Sequence, residues 1–238
     1  MSKANKTIDS IRKQGRIVLT EIESKHVIKE AGISTIETKL ASSEKEAVAI
    51  SEDIGFPVVL KVASPDITHK SDADGVKVGL KNKAEVREAY REIMASARQK
   101  YPETRVDGVS VQSVARPGIE LIIGMFQDFQ FGPVIMFGLG GIFVEALKDV
   151  SFRVIPIVRR DAAEMIKEIK GYSLLQGYRG QEPVNLLSLE DILLKVSTLV
   201  ERTPGIKEID LNPVFANKDG ALAVDARIVL EDKPLRPD

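Results

Sequence analysis

The chain has 238 residues, 43% hydrophobic and 29% charged, which is typical of a folded globular protein and too apolar for a disordered one. Its 34 lysines and arginines nearly balance 35 acidic residues, so net charge does not favour nucleic acid or a lipid surface as partner. The lack of cysteine excludes disulfides, thiolate catalysis and sulfur-ligated zinc, and no apolar run reaches the ~18 residues of a membrane-spanning helix. We therefore expect a cytoplasmic protein that binds neither nucleic acid nor membrane.

The first half of the chain predicts one α/β lobe. Residues 1–15 are polar and basic and are expected to form a tail or a short helix. Hydrophobic periodicity and turn residues then predict helices over 21–31, 44–54 and 84–100, strands over 57–62 and 76–80, and a long loop over 64–75. We expect a first lobe over 16–108, because this alternation of helices and strands is typical of a two-layer α/β unit.

The second half predicts a second lobe over 109–238. Its expected strands are 109–114, a hairpin of 120–126 with 133–137, 154–158, and a closing pair of 206–211 with 221–225. Helices are predicted over 161–170 and 189–202. The pair Asp219-Gly220 is a hairpin signal, so the last two strands are expected to run antiparallel.

His69 is a candidate catalytic residue because it lies in the long loop rather than on a periodic face. A neutral imidazole with a pKa near its ordinary value of about 6.5 is a competent nucleophile at cellular pH and can accept a phosphoryl group. Five residues separate Ser64 from His69, so an extended half-loop can carry the imidazole roughly 16 Å. A histidine that only hydrogen-bonds within a turn fits the same pattern.

Lys61 is the one charged residue in the apolar run 57–62. Burying an unpaired ammonium is costly, so a buried Lys61 is expected to meet an anion such as a phosphate. An exposed lysine at a strand end is the alternative. The glycine-rich stretch 138–141 lets backbone amides approach phosphates, but it matches neither the P-loop nor the dinucleotide-binding spacing.

Asp210 and Asn212 stand two residues apart, so they share one face of a predicted strand. Asp225 belongs to the next predicted strand. If these strands pair, a carboxylate and an amide oxygen converge in a way that suits Mg²⁺ with phosphate and water as its other ligands. Solvent-exposed acidic residues at strand ends are the alternative.

The combination of these features resembles the ATP-grasp fold, and within it the ADP-forming acyl-CoA synthetases. The resemblance is carried by a lysine strand with a His-Lys loop, FPVVLKVASPDITHKSDADGVKVGL, and by a closing Asp-x-Asn-Pro with a later Asp, EIDLNPVFANKDGALAVDARI. The chain resembles the separate β subunits of archaeal ADP-forming acetyl-CoA synthetases, relatives of succinyl-CoA synthetase. The resemblance implies a mixed α/β (α+β) ATP-grasp fold of two lobes with a nucleotide bound between them.

The resemblance also implies a role for each nucleotide-binding position. ATP or ADP would be the substrate, with Lys61 on its phosphates and Glu120 on the nucleotide or its metal. The adenine would lie at the hinge between the lobes, beside Gln112, Ser113 and Val114.

In this family, acyl-CoA, ADP and phosphate give a carboxylic acid, CoA and ATP through a phosphohistidine. The resemblance implies that His69 relays the phosphate and that Asp210 steadies the arriving phosphohistidine. Asn212 and Asp225 match the family's Mg²⁺ positions. Succinyl-CoA synthetase lacks a histidine in the corresponding loop, so His69 favours the acetyl-type branch.

The sequence contains no CoA-binding Rossmann-like fingerprint and no candidate for the family's second catalytic histidine. We therefore expect a separate α subunit to supply both, in an α₂β₂ assembly by resemblance. Two other functions are considered. A stand-alone ATP-grasp carboxylate ligase would need a substrate-binding domain and leaves His69 without a role. A non-catalytic nucleotide-binding regulatory module would bind nucleotide without taking phosphate onto His69.

Overall fold

The structure is a computed structural model that describes residues 3–67, 70, 73–141, 149–177 and 182–232. Its helices are α1 (Lys3–Lys13), α2 (Glu21–Glu30), α3 (Glu44–Ile54), α4 (Lys83–Lys100), α5 (Arg159–Glu168), α6 (Tyr172–Leu175) and α7 (Leu186–Arg202). Its strands are β1 (Thr38–Ala41), β2 (Val58–Ala63), β3 (Val76–Leu80), β4 (Gly108–Ser113), β5 (Ile119–Asp128), β6 (Gly132–Leu139), β7 (Val150–Val154), β8 (Ile206–Asn217), β9 (Gly220–Ala223) and β10 (Arg227–Leu230).

The chain divides into two compact units. Unit 1 comprises residues 1–19, 23–35 and 116–238, and unit 2 comprises residues 20–22 and 36–115. The second unit is thus inserted into the sequence of the first. The sequence predicted a division after residue 108, with β4 opening the second lobe, whereas β4 clusters with unit 2 because it pairs with both β1 and β2.

Unit 2 is built on an antiparallel sheet with the strand order β1-β4-β2-β3 among the described residues. Helices α3 and α4 begin at polar caps, where Ser43 accepts a hydrogen bond from Glu46 N and Asn82 accepts from Ala84 N and Glu85 N. Both helices pack on one face of the sheet. Alternate strand residues fill the core on that face: Val58, Leu60, Val62, Val109 and Val111.

Unit 1 is built on a second antiparallel sheet. Its order is β10-β8-β5-β6-β7, and β9 also pairs with β8. Helices α5 and α7 pack on this sheet. The residues Ile209 and Leu211 of β8 point into its core, so the residues that alternate with them lie on the opposite face. That face carries the acidic and amide side chains of the candidate metal site.

Helix α1 is part of the unit 1 core. Ala4, Ile8 and Ile11 are buried in it, spaced four and three residues apart along one helical face. The sequence left 1–15 as a tail or short helix because three apolar residues in a polar, basic segment are a weak signal. Arg12 also anchors the helix, donating a hydrogen bond of 3.1 Å to the Gly205 carbonyl.

Most of the predicted elements are present. The helix predicted over 84–100 and the hairpin of 120–126 with 133–137 are confirmed, the hairpin with longer strands. The antiparallel turn at Asp219-Gly220 is also present, but β9 pairs with residues 214–217 of β8, whereas the predicted partner 206–211 pairs with β10. The strand predicted over 154–158 is wrong in position, since β7 ends at Val154 and α5 begins at Arg159. None of the described helices is long and apolar enough to cross a membrane.

Candidate functional site

Lys61 is buried in unit 2, with 6% of its surface exposed. It lies on β2 between the core residues Leu60 and Val62, so its side chain leaves the sheet on the face opposite α3 and α4. The ammonium is 2.8 Å from Oε1 of Glu21, the first residue of α2. Lys61 is buried, and the anion beside it in this structure is a carboxylate of the chain itself, while its contact with a phosphate stays a prediction.

A second ammonium approaches the same carboxylate. Lys70 Nζ lies 3.2 Å from Oε2 of Glu21, so the two carboxylate oxygens each face one lysine. The side chains of Lys61 and Glu21 are 7% and 4% exposed, and that of Lys70 is 18% exposed. In such a setting charges interact far more strongly than in water. The three groups form a compact cluster of two ammoniums around one carboxylate, which we call the Glu21 cluster.

The neighbouring strand β4 adds polar groups on the same face. Ser110 is paired in register with Lys61, and Gln112 with Val59, so both point away from the core. Both are almost completely buried. Gln112 Oε1 accepts a hydrogen bond from the Thr38 hydroxyl at 3.2 Å. The Ser110 hydroxyl has no hydrogen-bond partner among the described residues, which is costly for a buried group and suits a ligand-binding position.

The side chains at the C-terminal end of β4 are more exposed to solvent than those before them. Ser113 is half-buried and Val114 is exposed, with its backbone N–H 3.4 Å from the Pro57 carbonyl. A partly exposed apolar side chain next to the buried Gln112 is compatible with contact to a flat, apolar ring. The structure therefore places the three residues predicted beside adenine consecutively at one end of β4.

Unit 1 holds the second group of predicted site residues. Asp210 and Asn212 lie on β8, on the face opposite the core residues Ile209 and Leu211. Asp225 lies not in a strand, as predicted, but in the short connection between β9 and β10. The register nevertheless runs straight through that connection, because β9 and β10 pair with successive parts of β8.

This register brings the candidate metal ligands opposite each other. Val214 pairs with Ala223, and Asp210 pairs with Arg227, so Asn212 and Asp225 stand across from one another midway between those pairs. Asn212 is exposed and Asp225 is half-buried, with its Oδ1 accepting a hydrogen bond of 2.8 Å from Ala226 N. The register therefore gives Asn212 and Asp225 opposite positions, and the convergence of their oxygens on a metal ion stays a prediction.

Asn212 and Asp225 fit a Mg²⁺ site in which the protein supplies some of the ligands and the substrate supplies others. Among the described residues no group of three or more His, Asp or Glu side chains converges as a complete metal cage. Mg²⁺ is commonly held by one or two carboxylates together with substrate phosphates and waters. Asn212 and Asp225 would hold the ion, and its charge would offset that of the phosphates.

Glu120 stands on β5, with an exposed side chain. Its carbonyl accepts a hydrogen bond of 2.7 Å from Gly140 N, and a β-carbon at Gly141 would lie 2.8 Å from its Oε2. Gly141 has a positive φ of 60°, which glycine adopts readily, and the absence of a β-carbon leaves room for the Glu120 carboxylate. The glycine-rich stretch therefore lies against Glu120, which the sequence did not predict.

His69 lies outside the described residues, as do Thr68, Ser71 and Asp72 of the same predicted loop. The flanking residues are described. Ile67 is buried in the unit 2 core, and Gly75 N donates a hydrogen bond of 2.8 Å to the Lys70 carbonyl. The other histidine, His26, is exposed on α2.

Sequence reasoning missed Glu21 and Ser110. An acidic residue in the first turn of a helix is usual there, since it interacts favourably with the helix dipole, so nothing marked Glu21 as a partner of Lys61 forty residues away. Ser110 lies in the predicted strand 109–114, where the sequence alone assigns it no role. Its signal was available, because it alternates with the apolar Val109 and Val111 in a strand whose two faces are both buried.

Comparison with known proteins identifies the family. Residues 10–230 match the ATP-grasp domain family. The chain is 52% identical over 230 residues to the ADP-forming acetate–CoA ligase I subunit β of Pyrococcus furiosus, covering 97% of this chain and 99% of that one. It is 44% identical to the ADP-forming acetate–CoA ligase I of Archaeoglobus fulgidus, over 97% of this chain but only 33% of that longer protein.

Two solved structures of acetyl-coenzyme A synthetase 1 from Ca. Korarchaeum cryptofilum match 96% of this chain and 100% of theirs. One, in complex with coenzyme A and Ca-AMPCP, has a TM-score of 0.94 at 48% identity. The other, with coenzyme A and Mg-AMPPCP and its phosphohistidine segment pointing towards the nucleotide-binding site, has a TM-score of 0.85 at 46% identity. The chain therefore has the ATP-grasp fold and belongs to the β subunits of the ADP-forming acetate–CoA ligases.

Proposed function

We propose that this chain is the nucleotide-binding β subunit of an ADP-forming acyl-CoA synthetase and relays phosphate through His69. The overall reaction is acyl-CoA, ADP and phosphate giving a carboxylic acid, CoA and ATP. The observation that carries the nucleotide part is Lys61, a buried ammonium beside a buried Ser110 hydroxyl that has no partner among the described residues. Both groups can bind phosphate oxygens.

Each predicted residue has a role in this scheme. Lys61 binds the nucleotide phosphates, the adenine contacts Gln112, Ser113 and Val114, and Glu120 binds the nucleotide or its metal. Asn212 and Asp225 hold Mg²⁺, whose bound charge supports phosphoryl transfer, a reaction that depends mainly on positioning and charge neutralisation. Asp210 steadies the phosphohistidine through its ring N–H.

His69 takes the phosphoryl group by nucleophilic attack. In the direction from ATP, the unprotonated nitrogen of the neutral imidazole forms an N–P bond while the bond between the γ-phosphorus and the bridging oxygen breaks, leaving ADP. The other ring nitrogen keeps its proton and donates it in a hydrogen bond to Asp210. The reverse transfer makes ATP. A phosphohistidine lets chemistry at an acyl-CoA site be coupled to ADP without the two substrates meeting. The phosphohistidine segment of the Korarchaeum protein supports this role.

An α subunit completes the enzyme in this proposal. The P. furiosus relative is a subunit β that this chain matches over 99% of its length, and the A. fulgidus relative contains a similar region in 33% of a longer chain. We propose that a separate α subunit binds CoA, carries the second catalytic histidine and forms an α₂β₂ complex. The chain alone should then bind Mg-nucleotide, and acyl-CoA should turn over only when α is added.

The test is phosphate labelling with γ-labelled Mg-ATP, with and without the α subunit. His69→Ala should abolish an acid-labile, base-stable label and the overall reaction, while nucleotide binding stays close to wild type. His26→Ala is the matched control, since it removes the other histidine from an exposed helical position and should keep the label. If the His69→Ala complex still makes ATP at the wild-type rate, the relay is wrong. If the wild-type complex binds nucleotide but takes no label, a regulatory module becomes the better account.

A further inference from the structure

The Glu21 cluster contains a buried carboxylate that the proposed reaction does not use. Glu21 contacts Lys61 through one oxygen and Lys70 through the other. The Glu21 side chain is 4% exposed. Glu21 is the first residue of α2 and is not part of the sheet that carries Lys61. A carboxylate beside a phosphate-binding lysine is unfavourable once the ligand is bound, because the carboxylate and the phosphate are both negatively charged.

We propose that Glu21 is an internal counter-ion that competes with nucleotide phosphates for Lys61 and Lys70 and so sets the affinity of the phosphate subsite. The inference rests on the proposed function, in which Lys61 binds those phosphates. Glu21 is thus a positioning residue, which acts on the ligand through the two ammoniums. It holds both ammoniums in place without nucleotide, and it opposes each negative charge that the ligand brings.

The charges of the cluster give the proposal a specific signature. Replacing Glu21 by an uncharged side chain removes one negative charge beside Lys61 and Lys70 and leaves both ammoniums in place. The gain in affinity should therefore be larger for Mg-ATP than for Mg-ADP, which carries one negative charge fewer, and should be absent for uncharged adenosine. It should also shrink as salt is added, because screening weakens the interaction. A purely structural role for Glu21 predicts neither dependence.

The variant to use is Glu21→Gln. It preserves the volume of the side chain, and its amide oxygen can still accept a hydrogen bond from Lys61, so it avoids the cavity that alanine would leave. The matched control is Glu23→Gln, which also removes one negative charge from the first turn of α2. Glu23 binds Arg16 in unit 1, 2.5 Å away, and is not part of the Glu21 cluster.

The experiment is calorimetric titration of the full chain with adenosine, AMP, Mg-ADP and Mg-ATP at low and high salt, with melting temperatures measured alongside. Glu21→Gln should tighten Mg-ADP binding at least about fivefold at low salt, Mg-ATP binding more, and adenosine binding not at all. Glu23→Gln should leave all four affinities unchanged. Equal changes for adenosine and ADP, or weaker ADP binding by Glu21→Gln in a folded protein, would overturn the proposal.

Two further variants keep the result interpretable. Lys61→Met tests the proposed function itself: if ADP binds it as tightly as wild type, Lys61 is not in the phosphate subsite and both proposals fail. If Lys61→Met loses ADP affinity but Glu21→Gln gains none, only the counter-ion proposal fails. Should Glu21→Gln not fold, Lys70→Met replaces it, because Glu21 then neutralises Lys61 alone. ADP should bind that variant several-fold more weakly with adenosine unaffected, and unchanged ADP affinity would overturn the inference.

Discussion

The Asp149 carboxylate accepts hydrogen bonds from two successive backbone N–H groups, those of Lys170 at 2.6 Å and Gly171 at 2.7 Å. Asp149 precedes β7, and the two amides follow α5, so one buried side chain fixes the end of the helix to the start of the strand. Gly171 permits the contact, since a β-carbon there would lie 2.3 Å from the Leu139 side chain.

Replacing Asp149 by alanine should therefore destabilise unit 1. Two partly buried amides lose their acceptor, and leaving a buried donor unsatisfied costs roughly 1–3 kcal/mol. We expect a loss of about 2–4 kcal/mol in the free energy of unfolding, measured by urea denaturation. Asp149→Asn keeps one good acceptor and should lose less. Equal stability of the alanine variant and the wild type would contradict the assigned role.

Gly108 and Gly79 provide a paired test of backbone crowding. Both have positive φ, 135° and 77°. A β-carbon at Gly108 would lie 2.2 Å from the Ala41 carbonyl oxygen, whereas at Gly79 nothing lies within 4 Å. Gly79→Ala should cost roughly 1–2 kcal/mol for its backbone conformation alone. Gly108→Ala should cost about 3 kcal/mol or more, because β1 must also shift away from β4.

Thermal unfolding of the two glycine variants measures that difference. The melting temperature should fall further for Gly108→Ala than for Gly79→Ala. A fall of equal size in both would mean that the contact of Gly108 with β1 relaxes without cost.

The pair of Glu168 with Arg153 predicts a pH dependence of stability. The hydrogen bond from Arg153 lowers the pKa of Glu168 below its ordinary value of 4.5. Since the folded-state pKa is the lower one, the pair stabilises the protein above the unfolded-state pKa and loses this effect as pH falls through the folded-state pKa. Glu168→Gln should cost at most about 1 kcal/mol near neutral pH, because the pair is largely exposed.

Chemical denaturation over a pH series checks this pair. The stability curves of Glu168→Gln and the wild type should converge at acidic pH, where Glu168 is protonated in both folded and unfolded wild-type chains. A difference that stays constant over the whole series would show that the glutamine acts through packing rather than charge.

The proposed metal site is tested by Asp225→Asn. The change is nearly isosteric, so the β8 register should persist, while the loss of a carboxylate should weaken Mg-ADP binding by about tenfold. Calorimetric titration measures the affinity. Asp219→Asn is the control, since Asp219 is an exposed acidic residue on the nearby β8–β9 turn. Unchanged affinity in Asp225→Asn at an unchanged melting temperature would remove Asp225 from the site.

The sequence predicted correctly which face of a strand a polar residue occupies where that residue stands between apolar neighbours. Lys61 interrupts an apolar strand, and Asp210 and Asn212 alternate with Ile209 and Leu211, so local patterns indicated their faces. The long helix α4 and the β5–β6 hairpin were predicted because their contacts are mostly close in sequence. Local propensity and tertiary packing agree at these positions.

The features that sequence reasoning missed depend on distant partners. β1 is four residues long and partly polar, and only its pairing with β4, some seventy residues later, makes it a strand. Glu21 likewise has the sequence pattern of an ordinary acidic residue in the first turn of a helix, and only the folded structure shows its contact with Lys61. No local sequence pattern predicts either pairing, because the partner lies much farther along the chain than the short segments over which hydrophobic periodicity is judged.

The insertion of unit 2 into unit 1 has a consequence for synthesis on the ribosome. Residues 36–115 are contiguous and can collapse as soon as they have emerged, whereas α1 must wait for the last third of the chain. Arg12 finds its carbonyl partner only when Gly205 arrives, 193 positions later. Until then the apolar stripe of α1 is available to chaperones or to neighbouring nascent chains. At roughly 5–20 residues per second, that delay lasts on the order of ten to forty seconds.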